Sequence, residues 1–438
     1  MTDTQLSTLA ADLDADARAI LPEEAGVTAS GVLTIGGVSA EDLANTYGTP
    51  LYVMDETGLR RQIRRFVDGL AQRWPNSEVL FASKSLPAVG MYAIAAEEGM
   101  SIDVAGTGEL LLALAAGVDP ARVYLHGNAK GDDELRRAVD VGVGTIVIDN
   151  FDDIDRLTDL VTRPQHVLVR VIPSVAAHTH ASQYTGGHDS KFGLLPAQLG
   201  EAVARLSRNP AIVMDGVHLH IGSQILDPRP FGDAVEAISR VGTFDVYDVG
   251  GGLGVRYEAS EHPPTVADYL DTIVQAAREH LPSTARLLIE PGRSVVARAG
   301  ITIYRVRSVK RTGRAFVAVD GGLSDLLDIG LTDQTYLPVA ATRVGEAATL
   351  RADIVGRQCE SGDLFRRDAL LPDVRRGDLL AFATTGAYAY TLANNYNGAL
   401  KPAMVFVKDG EVRLAVRRET YDDLLRHHVL PAQGAHTS

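Results

Sequence analysis

The first part of the chain alternates short apolar runs with amphipathic stretches. Amphipathic helices are predicted at Ala88–Glu98, Gly108–Ala116 and Asp132–Val141, among others. Several apolar runs have no polar alternation, which is typical of parallel strands covered on both faces. Eight strand–helix units in succession favour a closed (β/α)₈ barrel over an open doubly wound sheet. The predicted strands are Val79–Ser83, Ser101–Ala105, Val123–Gly127, Thr145–Asp149, His166–Ile172, Gly216–Ile221, Asp245–Val249 and Leu287–Glu290.

The alternation of strands and helices ends after Arg293, where predicted strands follow one another with few helices between them. The turn Asp409-Gly410 lies between two alternating runs and predicts a two-residue hairpin. We therefore predict a barrel over residues 47–298 and a C-terminal β-domain over residues 299–438. Residues 1–46 partly join the β-domain through the strand-like stretch Gly31–Val38. The predicted β-domain strands are Ile301–Arg311, Ala315–Val319, Ala348–Val355, Asp378–Thr384, Ala403–Val407 and Val412–Arg417.

Composition narrows the classes of partner. The 438 residues exceed one ordinary core, which agrees with two units. Lys and Arg number 42 against 56 Asp and Glu, a net charge of −14. An acidic surface repels phosphate backbones and anionic lipid, so we expect neither nucleic acid nor membrane as a partner. A single cysteine and an acidic N-terminus without an apolar core predict a cytoplasmic protein.

Chemically active residue types follow several of the predicted strands. In a (β/α)₈ barrel, the carboxyl ends of the strands form the active site. Lys84 ends the first strand, and His220 lies near the end of the sixth. Glycines 250–252 follow the seventh strand, and the eighth ends in the sequence EPGR, from Glu290 to Arg293. Glycine amides can approach a bound anion closely, so these loops predict a phosphate site with Arg293 beside it.

Two residues allow two interpretations each from position alone. Lys84 is either a lysine at the solvated rim of its strand or an amine of lowered pKa that condenses with a carbonyl group. Cys359, the lone cysteine, is either a small buried hydrophobic residue or a group with a chemical role. His178 and His180 are a weak indication of a metal site, because no matched carboxylates or cysteines accompany them, and we predict no metal.

A set of motifs resembles the diaminopimelate decarboxylase family in order and spacing, from about Ser39 to about Leu425. The motifs are FASKSLP, SIDVAGTGEL, LHGNAKGDDEL, HTHASQYTGGHDSKFGL, HLHIGSQI, DVGGGLG, IEPGR, CESGDLF and GAYAYTLANNYN. The family belongs with the alanine-racemase-like barrel enzymes that use pyridoxal 5'-phosphate (PLP). The resemblance implies a TIM barrel with a C-terminal β-domain (PLP fold type III), PLP as cofactor and decarboxylation of a small amino-acid substrate.

The resemblance also implies a role for each matched residue. Lys84 would hold the cofactor covalently, and His220 would stack on its ring. Glu290 would pair with the ring nitrogen. The remaining cofactor contacts would come from Ser223, Gly251, Gly252, Gly292, Arg293 and Tyr388, with the first four at the phosphate.

Arg293 is implied near the substrate carboxylate or the phosphate, and Tyr388 near both cofactor and substrate. Cys359 and Glu360 would reach in from a second subunit, which implies a homodimer with shared active sites. Cys359 would then supply the proton that replaces CO₂ on the substrate Cα.

One segment departs from the family pattern. Family members are expected to grip the distal carboxylate of diaminopimelate with an Arg and a Tyr. In VDGGLSDLLDIGLTDQTY, Asp328 stands in place of the Arg and Thr332 in place of the Tyr, with Asp333 following. Because this reverses the charge, we expect a basic amino acid or a specialised biosynthetic intermediate as substrate. The alternative is a genuine meso-diaminopimelate decarboxylase that grips its substrate with Arg314 or Arg357.

Two other functions share these features. An amino-acid racemase on the same barrel needs an acid–base group on each face of the substrate, whereas the Cys359-Glu360 motif resembles the decarboxylase pattern. A non-catalytic PLP-binding module would need neither the β-domain nor Tyr388.

Overall fold

The computed structural model describes residues 13, 15–172, 190–258, 260–332 and 334–429. Its strands are β1 Ala25–Val27, β2 Leu33–Ile35, β3 Val38–Ser39, β4 Leu51–Asp55, β5 Ser77–Ala82, β6 Ser101–Val104, β7 Val123–Leu125, β8 Thr145–Ile148, β9 Gln165–Arg170, β10 Ile212–His218, β11 Val246–Asp248, β12 Arg286–Ile289, β13 Gly300–Arg311, β14 Ala315–Val319, β15 Pro338–Ala340, β16 Leu350–Val355, β17 Leu364–Leu371, β18 Leu379–Ala383, β19 Ala403–Lys408 and β20 Glu411–Val416.

The helices are α1 Ala15–Ile20, α2 Ala40–Tyr47, α3 Glu56–Arg73, α4 Val89–Glu97, α5 Thr107–Ala115, α6 Asp132–Val141, α7 Phe151–Leu160, α8 Leu199–Leu206, α9 Arg229–Ser239, α10 Val266–His280, α11 Arg293–Val296, α12 Asp328–Leu331 and α13 Tyr421–Leu425. Within the described ranges, no helix has both the length and the apolar character needed to cross a bilayer.

Strands β5 to β12 close into a parallel barrel in chain order, with β12 pairing back onto β5. All eight predicted barrel strands are therefore confirmed, and the open-sheet alternative is wrong. Three of these strands, β6, β7 and β8, are buried along their full length, which explains their unbroken apolar sequence. The barrel interior holds a small apolar cluster that contains Tyr124, Val147 and Leu288.

A nine-stranded sheet forms the second unit, in the order β17-β16-β14-β13-β4-β19-β20, with β18 pairing with β13 and β15. Strand β4 pairs antiparallel with β13 and parallel with β19. It lies within the range 47–298 predicted for the barrel, so that boundary is wrong by at least this strand. An apolar run such as LYVMD fits the centre of either sheet equally well, because both environments bury it on two faces.

The N-terminal stretch Gly31–Val38 supplies β2, which belongs to a separate three-stranded sheet, β1-β2-β3. Leu33 and Ile35 are buried in one apolar cluster with Leu51 and Val53 of the larger sheet. The Leu33 N–H also donates to the carbonyl of Ala341 at 2.7 Å. This segment therefore packs on the larger sheet without becoming one of its strands.

Two further details of the larger sheet test the sequence patterns. The hairpin between β19 and β20 is confirmed: Lys408 pairs with Glu411, and Asp409 and Gly410 have φ angles of 52° and 82°. Strand β17 was not predicted, because Arg366, Arg367 and Asp368 interrupt its apolar sequence. It pairs antiparallel with β16 at one end of the sheet.

The two units meet at the carboxyl end of β5. The Tyr388 N–H donates to the carbonyl of Ser85 at 2.8 Å, and the Thr391 hydroxyl donates to the carbonyl of Lys84 at 3.0 Å. A loop of the larger sheet's unit is thereby fixed directly over the barrel mouth.

Candidate active site

Lys84 lies in a single 3₁₀ turn, Ser83–Ser85, that directly follows β5. Its side chain faces a cavity at the carboxyl ends of the barrel strands. The structure brings to this cavity most of the residues that the sequence singled out. Its lining is Ala82, Lys84, His220, Gly222, Ser223, Gly252, Leu253, Glu290, Gly292, Arg293 and Tyr388.

The pKa of the free Lys84 amine is raised, not lowered as one interpretation of the sequence expected. Its enclosure by protein acts to lower the pKa, but Tyr388 and the carboxylates of Asp103 and Glu290 outweigh this effect. The carboxylates that surround the amine therefore keep it cationic before it reacts. Lys84 is itself exposed in the cavity, but the carboxylates of Asp103 and Glu290 beside it distinguish it from a lysine on an open strand rim.

His220 projects from the segment after β10 and accepts a hydrogen bond at Nδ1 from the Gly251 N–H, at 3.3 Å. Its pKa falls well below the usual value because it is buried and lies near the cations Lys84 and Arg170. The imidazole is therefore neutral and held by the glycine loop.

The glycine loop after β11 approaches its neighbours too closely for a side chain. A Cβ on Gly251 would lie 2.0 Å from the carbonyl oxygen of Glu290. Gly252 has a φ of 121°, and its Cβ would lie 2.6 Å from the carbonyl oxygen of Gly222. The loop therefore presents bare backbone to the cavity, as a phosphate cradle requires.

Arg293 is a buried cation at the edge of the same cavity. Its Nε donates to the Ser223 hydroxyl at 3.3 Å and its Nη1 to the Tyr257 hydroxyl at 2.7 Å. The guanidinium carbon lies 4.6 Å from the centre of the Tyr388 ring. Burial acts to lower the Arg293 pKa, but the two tyrosines raise it, so the side chain stays charged.

Glu290, which directly follows β12, is contacted by two histidines. His126 Nε2 lies 2.9 Å from Oε1, and His218 Nε2 lies 3.2 Å from Oε2. Burial acts to raise the Glu290 pKa, but the two imidazoles lower it well below the usual value. Asp103 lies 3.7 Å from His126 Nε2, and burial raises its pKa to about 6. Glu290 is thus held as an anion.

Neither His126 nor His218 was predicted as a site residue. The sequence HLH carried a signal for His218, because side chains two apart on a strand face the same side, here the barrel interior. Within the described residues, these two histidines and Glu290 also form a cluster whose ligand-type atoms lie within 4.8 Å of one another. The contacts are ordinary ion-pair distances, so we interpret the cluster as a clamp on the carboxylate.

Asp328 is buried, and its carboxylate is directed into the protein. Oδ1 accepts from the Thr332 hydroxyl at 2.8 Å, and Oδ2 accepts from the Tyr336 hydroxyl at 3.3 Å. The Tyr336 ring packs edge-on against Tyr257 with centroids 5.3 Å apart, and Tyr257 contacts Arg293. Asp328 therefore lies behind the cavity wall and is already hydrogen-bonded. Asp333 lies outside the described residues.

The residues weighed as alternative grips for a distal carboxylate lie elsewhere. Arg314 pairs with Asp353 at 2.7 Å and its side chain is largely exposed. Arg357 is exposed and does not line the cavity around Lys84.

Cys359 and Glu360 are exposed in the loop that follows β16. The Cys359 N–H donates to the Asn397 side chain at 2.9 Å. Neither residue lines the cavity around Lys84. The buried-hydrophobe interpretation of Cys359 is therefore wrong, and the fold of one chain does not bring this thiol to Lys84.

A roomier groove of about 980 Å³ lies along α3 and α10, away from Lys84. Several of its arginines are already paired: Arg61 and Arg65 contact Glu23 at 2.7 and 2.5 Å. Because these charges are compensated, the groove offers a weaker anion site than the cavity at Arg293.

Comparisons with known proteins agree with this site. Residues 59–297 match the family model described as the pyridoxal binding domain of pyridoxal-dependent decarboxylases. Diaminopimelate decarboxylase of Bacillus subtilis (strain 168) is 42% identical, covering 90% of this chain and 95% of the relative. That of Actinosynnema pretiosum is 43% identical, covering 91% and 93%.

Solved structures show the same architecture over nearly the whole chain. Diaminopimelate decarboxylase from M. jannaschii has a TM-score of 0.86 at 27% identity, covering 94% of this chain and 98% of that one. Its complex with L-lysine gives 0.85 at 27%, covering 93% and 98%. A lysine/ornithine decarboxylase from Vibrio vulnificus, at 24% identity, shares the fold with a TM-score of 0.73, covering 84% and 97%.

The barrel, the added sheet and these matches define a PLP-dependent carboxy-lyase of fold type III, an enzyme that decarboxylates an amino acid. The chain belongs to the diaminopimelate decarboxylase family. The predictions of fold, cofactor and enzyme class are thereby confirmed.

The residues at the cavity fit PLP. Lys84 offers an amine for the aldehyde, and Glu290 offers an anion that can pair with the ring nitrogen. The bare loop at Gly251 and Gly252, with the buried cation Arg293, offers an anion cradle for the phosphate.

Proposed function

We propose that this enzyme decarboxylates meso-diaminopimelate to L-lysine, with Lys84 as the residue that holds PLP. The observation that carries the proposal is the convergence of Lys84, Glu290 and Arg293 on one cavity at the carboxyl ends of β5 and β12. Relatives at 42% and 43% identity over about nine tenths of the chain, named as diaminopimelate decarboxylases, support the substrate.

The cofactor, when bound, supplies a ring that accepts the electron pair left on the substrate Cα when CO₂ departs. The chain's own residues prepare that environment. Lys84 anchors the cofactor, and Glu290, held as an anion, favours a protonated ring nitrogen. His220, neutral and fixed by the Gly251 amide, covers one ring face.

The phosphate contacts are assigned to Ser223, Gly251, Gly252, Gly292 and Arg293. Arg293 suits this role because it is buried and stays charged, so its attraction for an anion is weakly screened. The Ser223 hydroxyl, 3.3 Å from Arg293 Nε, lies beside this charge.

The proton that replaces CO₂ is assigned to Cys359 of a second subunit, with Glu360 beside it. Both residues are exposed in one chain and lie outside the cavity around Lys84. A thiol on an exposed loop can reach a neighbouring copy, so the working enzyme is proposed to be a homodimer with shared sites.

A second candidate substrate is a basic amino acid with a cationic distal end. Asp328 favours it, because a buried acid stands where family members are expected to carry an arginine. Its carboxylate already accepts from Thr332 and Tyr336, which leaves it less available to a substrate than a free acid. We therefore rank meso-diaminopimelate first.

Two experiments test the proposal. Borohydride reduction followed by peptide mass mapping is expected to place the pyridoxyl group on Lys84 and to give no label in Lys84→Ala. A label on Lys130, which is buried against Asp153 at 2.8 Å, would refute the assignment. A panel of meso-diaminopimelate, ornithine, lysine and arginine is then assayed for CO₂ release by mass spectrometry.

We expect turnover of meso-diaminopimelate to exceed that of the other substrates by at least about tenfold in kcat/KM. Faster turnover of ornithine, lysine or arginine would favour the second candidate. Loss of optical rotation without release of CO₂ would indicate a racemase instead.

A further inference from the structure

The carboxylate of Glu290 is clamped from two sides inside the barrel mouth. His126 contacts one oxygen at 2.9 Å and His218 contacts the other at 3.2 Å. All three residues are buried: His126 is 7% exposed, His218 is 1% exposed and Glu290 is 5% exposed. Each oxygen therefore has its own imidazole: His218 makes a hydrogen bond with Oε2, and His126 makes an ion-pair contact with Oε1.

The two histidines come from different walls of the barrel. His126 follows β7, whereas His218 ends β10, and Glu290 follows β12. In the barrel order, β5 and β6 separate β12 from β7, and β11 separates β12 from β10. The imidazole rings also meet edge-on, with centroids 5.0 Å apart at 74°. Each ring therefore limits the movement of the other as well as of Glu290.

The pKa values of the two imidazoles shift in opposite directions. Burial acts to lower the His126 pKa, but Asp103 and Glu290 raise it above the usual value, which favours the cationic form of this ring. Burial lowers the His218 pKa to about 4, so this ring is neutral. Its Nδ1 has no hydrogen-bond partner among the described residues, which agrees with a neutral ring that carries its proton on Nε2.

We propose that His126 and His218 are positioning residues that hold the Glu290 carboxylate towards the ring nitrogen of the cofactor. His126 balances the charge of Glu290, and His218 orients it as a neutral donor. This inference rests on the proposed pairing of Glu290 with the ring nitrogen. The two histidines would therefore affect cofactor binding only through the contact between Glu290 and the ring nitrogen.

The test compares two ligands on the apoprotein. One is PLP, and the other is its analogue in which C–H replaces the ring nitrogen. Apparent affinities are measured by absorbance titration for wild type, Glu290→Gln, His126→Gln, His218→Leu and His218→Gln. Melting temperatures of the apoproteins monitor folding. His166→Gln is the matched control, because His166 also pairs with a carboxylate, Asp215 at 2.8 Å, but on the surface.

For His126→Gln and His218→Leu we expect PLP to bind about tenfold more weakly and the analogue to change less than about twofold. His218→Gln is expected to restore PLP binding, because its amide nitrogen replaces a neutral Nε2 donor. Glu290→Gln should also weaken the binding of PLP more than the binding of the analogue. His166→Gln should change neither affinity relative to the other. If His218→Leu does not fold, the test rests on His126→Gln, for which the loss of affinity for PLP is compared with the loss of affinity for the analogue.

An equal loss for both ligands in the histidine variants would overturn the inference, because a merely structural role does not distinguish them. If Glu290→Gln still discriminated, the role of Glu290 in the proposed function would stand. If Glu290→Gln also failed to discriminate, the ring-nitrogen pairing itself would be wrong, although borohydride labelling of Lys84 would remain as separate support for the cofactor site.

Discussion

The guanidinium carbon of Arg293 lies 4.6 Å from the centre of the Tyr388 ring, although the two residues come from different units of the fold. Arg293 begins α11 at the end of the barrel, and Tyr388 lies in the loop after β18. Tyr388 has a φ of 63°, and its N–H is bound to the carbonyl of Ser85 next to Lys84. The cation, the aromatic ring and the reactive lysine are therefore held together across the junction.

Tyr388→Leu should weaken the binding of PLP by roughly tenfold. It removes an aromatic face from a buried cation, an interaction worth about 1–2 kcal/mol. Tyr388→Phe keeps the ring and should stay within a few-fold of wild type. Titration of the apoprotein with PLP measures the difference. Equal affinities of the leucine and phenylalanine variants would contradict the role of the ring.

Gly251→Ala should lower cofactor retention by more than about tenfold, because its Cβ would overlap the Glu290 carbonyl oxygen and force apart the loops after β11 and β12. Gly313→Ala is the matched control, since its Cβ would meet nothing within 4 Å. Retained PLP is measured by absorbance after dialysis. Similar retention by the two variants would show that the tight approach is not required.

Asp328→Asn should lower the KM for meso-diaminopimelate several-fold and raise it for lysine. The amide keeps partners at Thr332 and Tyr336 but removes a buried carboxylate from behind the cavity wall. Asp271→Asn, on the surface beside Arg73, is the control. The measurement is the KM for both substrates, and an unchanged ratio would mean that Asp328 has no part in specificity.

Asp325→Asn should make the enzyme less sensitive to alkaline pH. Asp325 is buried, accepts from the Gly322 N–H at 3.0 Å and has its pKa raised by burial to about 7. Between its unfolded pKa near 4 and this value, the unfolded chain releases the proton first, so rising pH destabilises the fold.

The asparagine is neutral at every pH and avoids this cost. Urea unfolding at pH 5.5 and pH 8 measures the effect. We expect the advantage of Asp325→Asn in unfolding free energy to grow with pH, to at most about 4 kcal/mol. Parallel pH profiles for the two proteins would contradict the raised pKa.

Two inactive variants should complement each other if the proposed homodimer shares its sites. Lys84→Ala and Cys359→Ala are expected to be inactive alone. Mixed and reassembled, they should recover about a quarter of wild-type activity, because random pairing leaves that share of sites intact. The control mixture combines Lys84→Ala with Glu41→Ala in place of Cys359→Ala. Glu41 is an exposed residue of α2. No recovery in the test mixture would place both residues in one subunit's site.

The barrel strands were predictable because burial on both faces leaves an unbroken apolar signature. The same apolar signature did not show that β4 belongs to the larger sheet and not to the barrel, because pairing partners are set by tertiary structure. Strand β17 was missed because its exposed edge carries Arg366, Arg367 and Asp368. Sequence pattern therefore reveals burial far better than it reveals pairing.

The cavity residues were predictable where they follow strands, as Lys84 and Glu290 do. Tyr257 was missed, because its contact with Arg293 depends on how a loop folds back. The sequence puts Asp328 in the segment after β14 but does not show which way its carboxylate points. Hydrogen bonds between distant loops carry no periodic signal in the sequence.

The position of β4 between β13 and β19 makes the barrel an insertion within the other unit. A fragment that starts at residue 299 lacks the strand joining these two, so its sheet would split and expose two unpaired edges. A single cut after the barrel therefore cannot release the sheet unit whole.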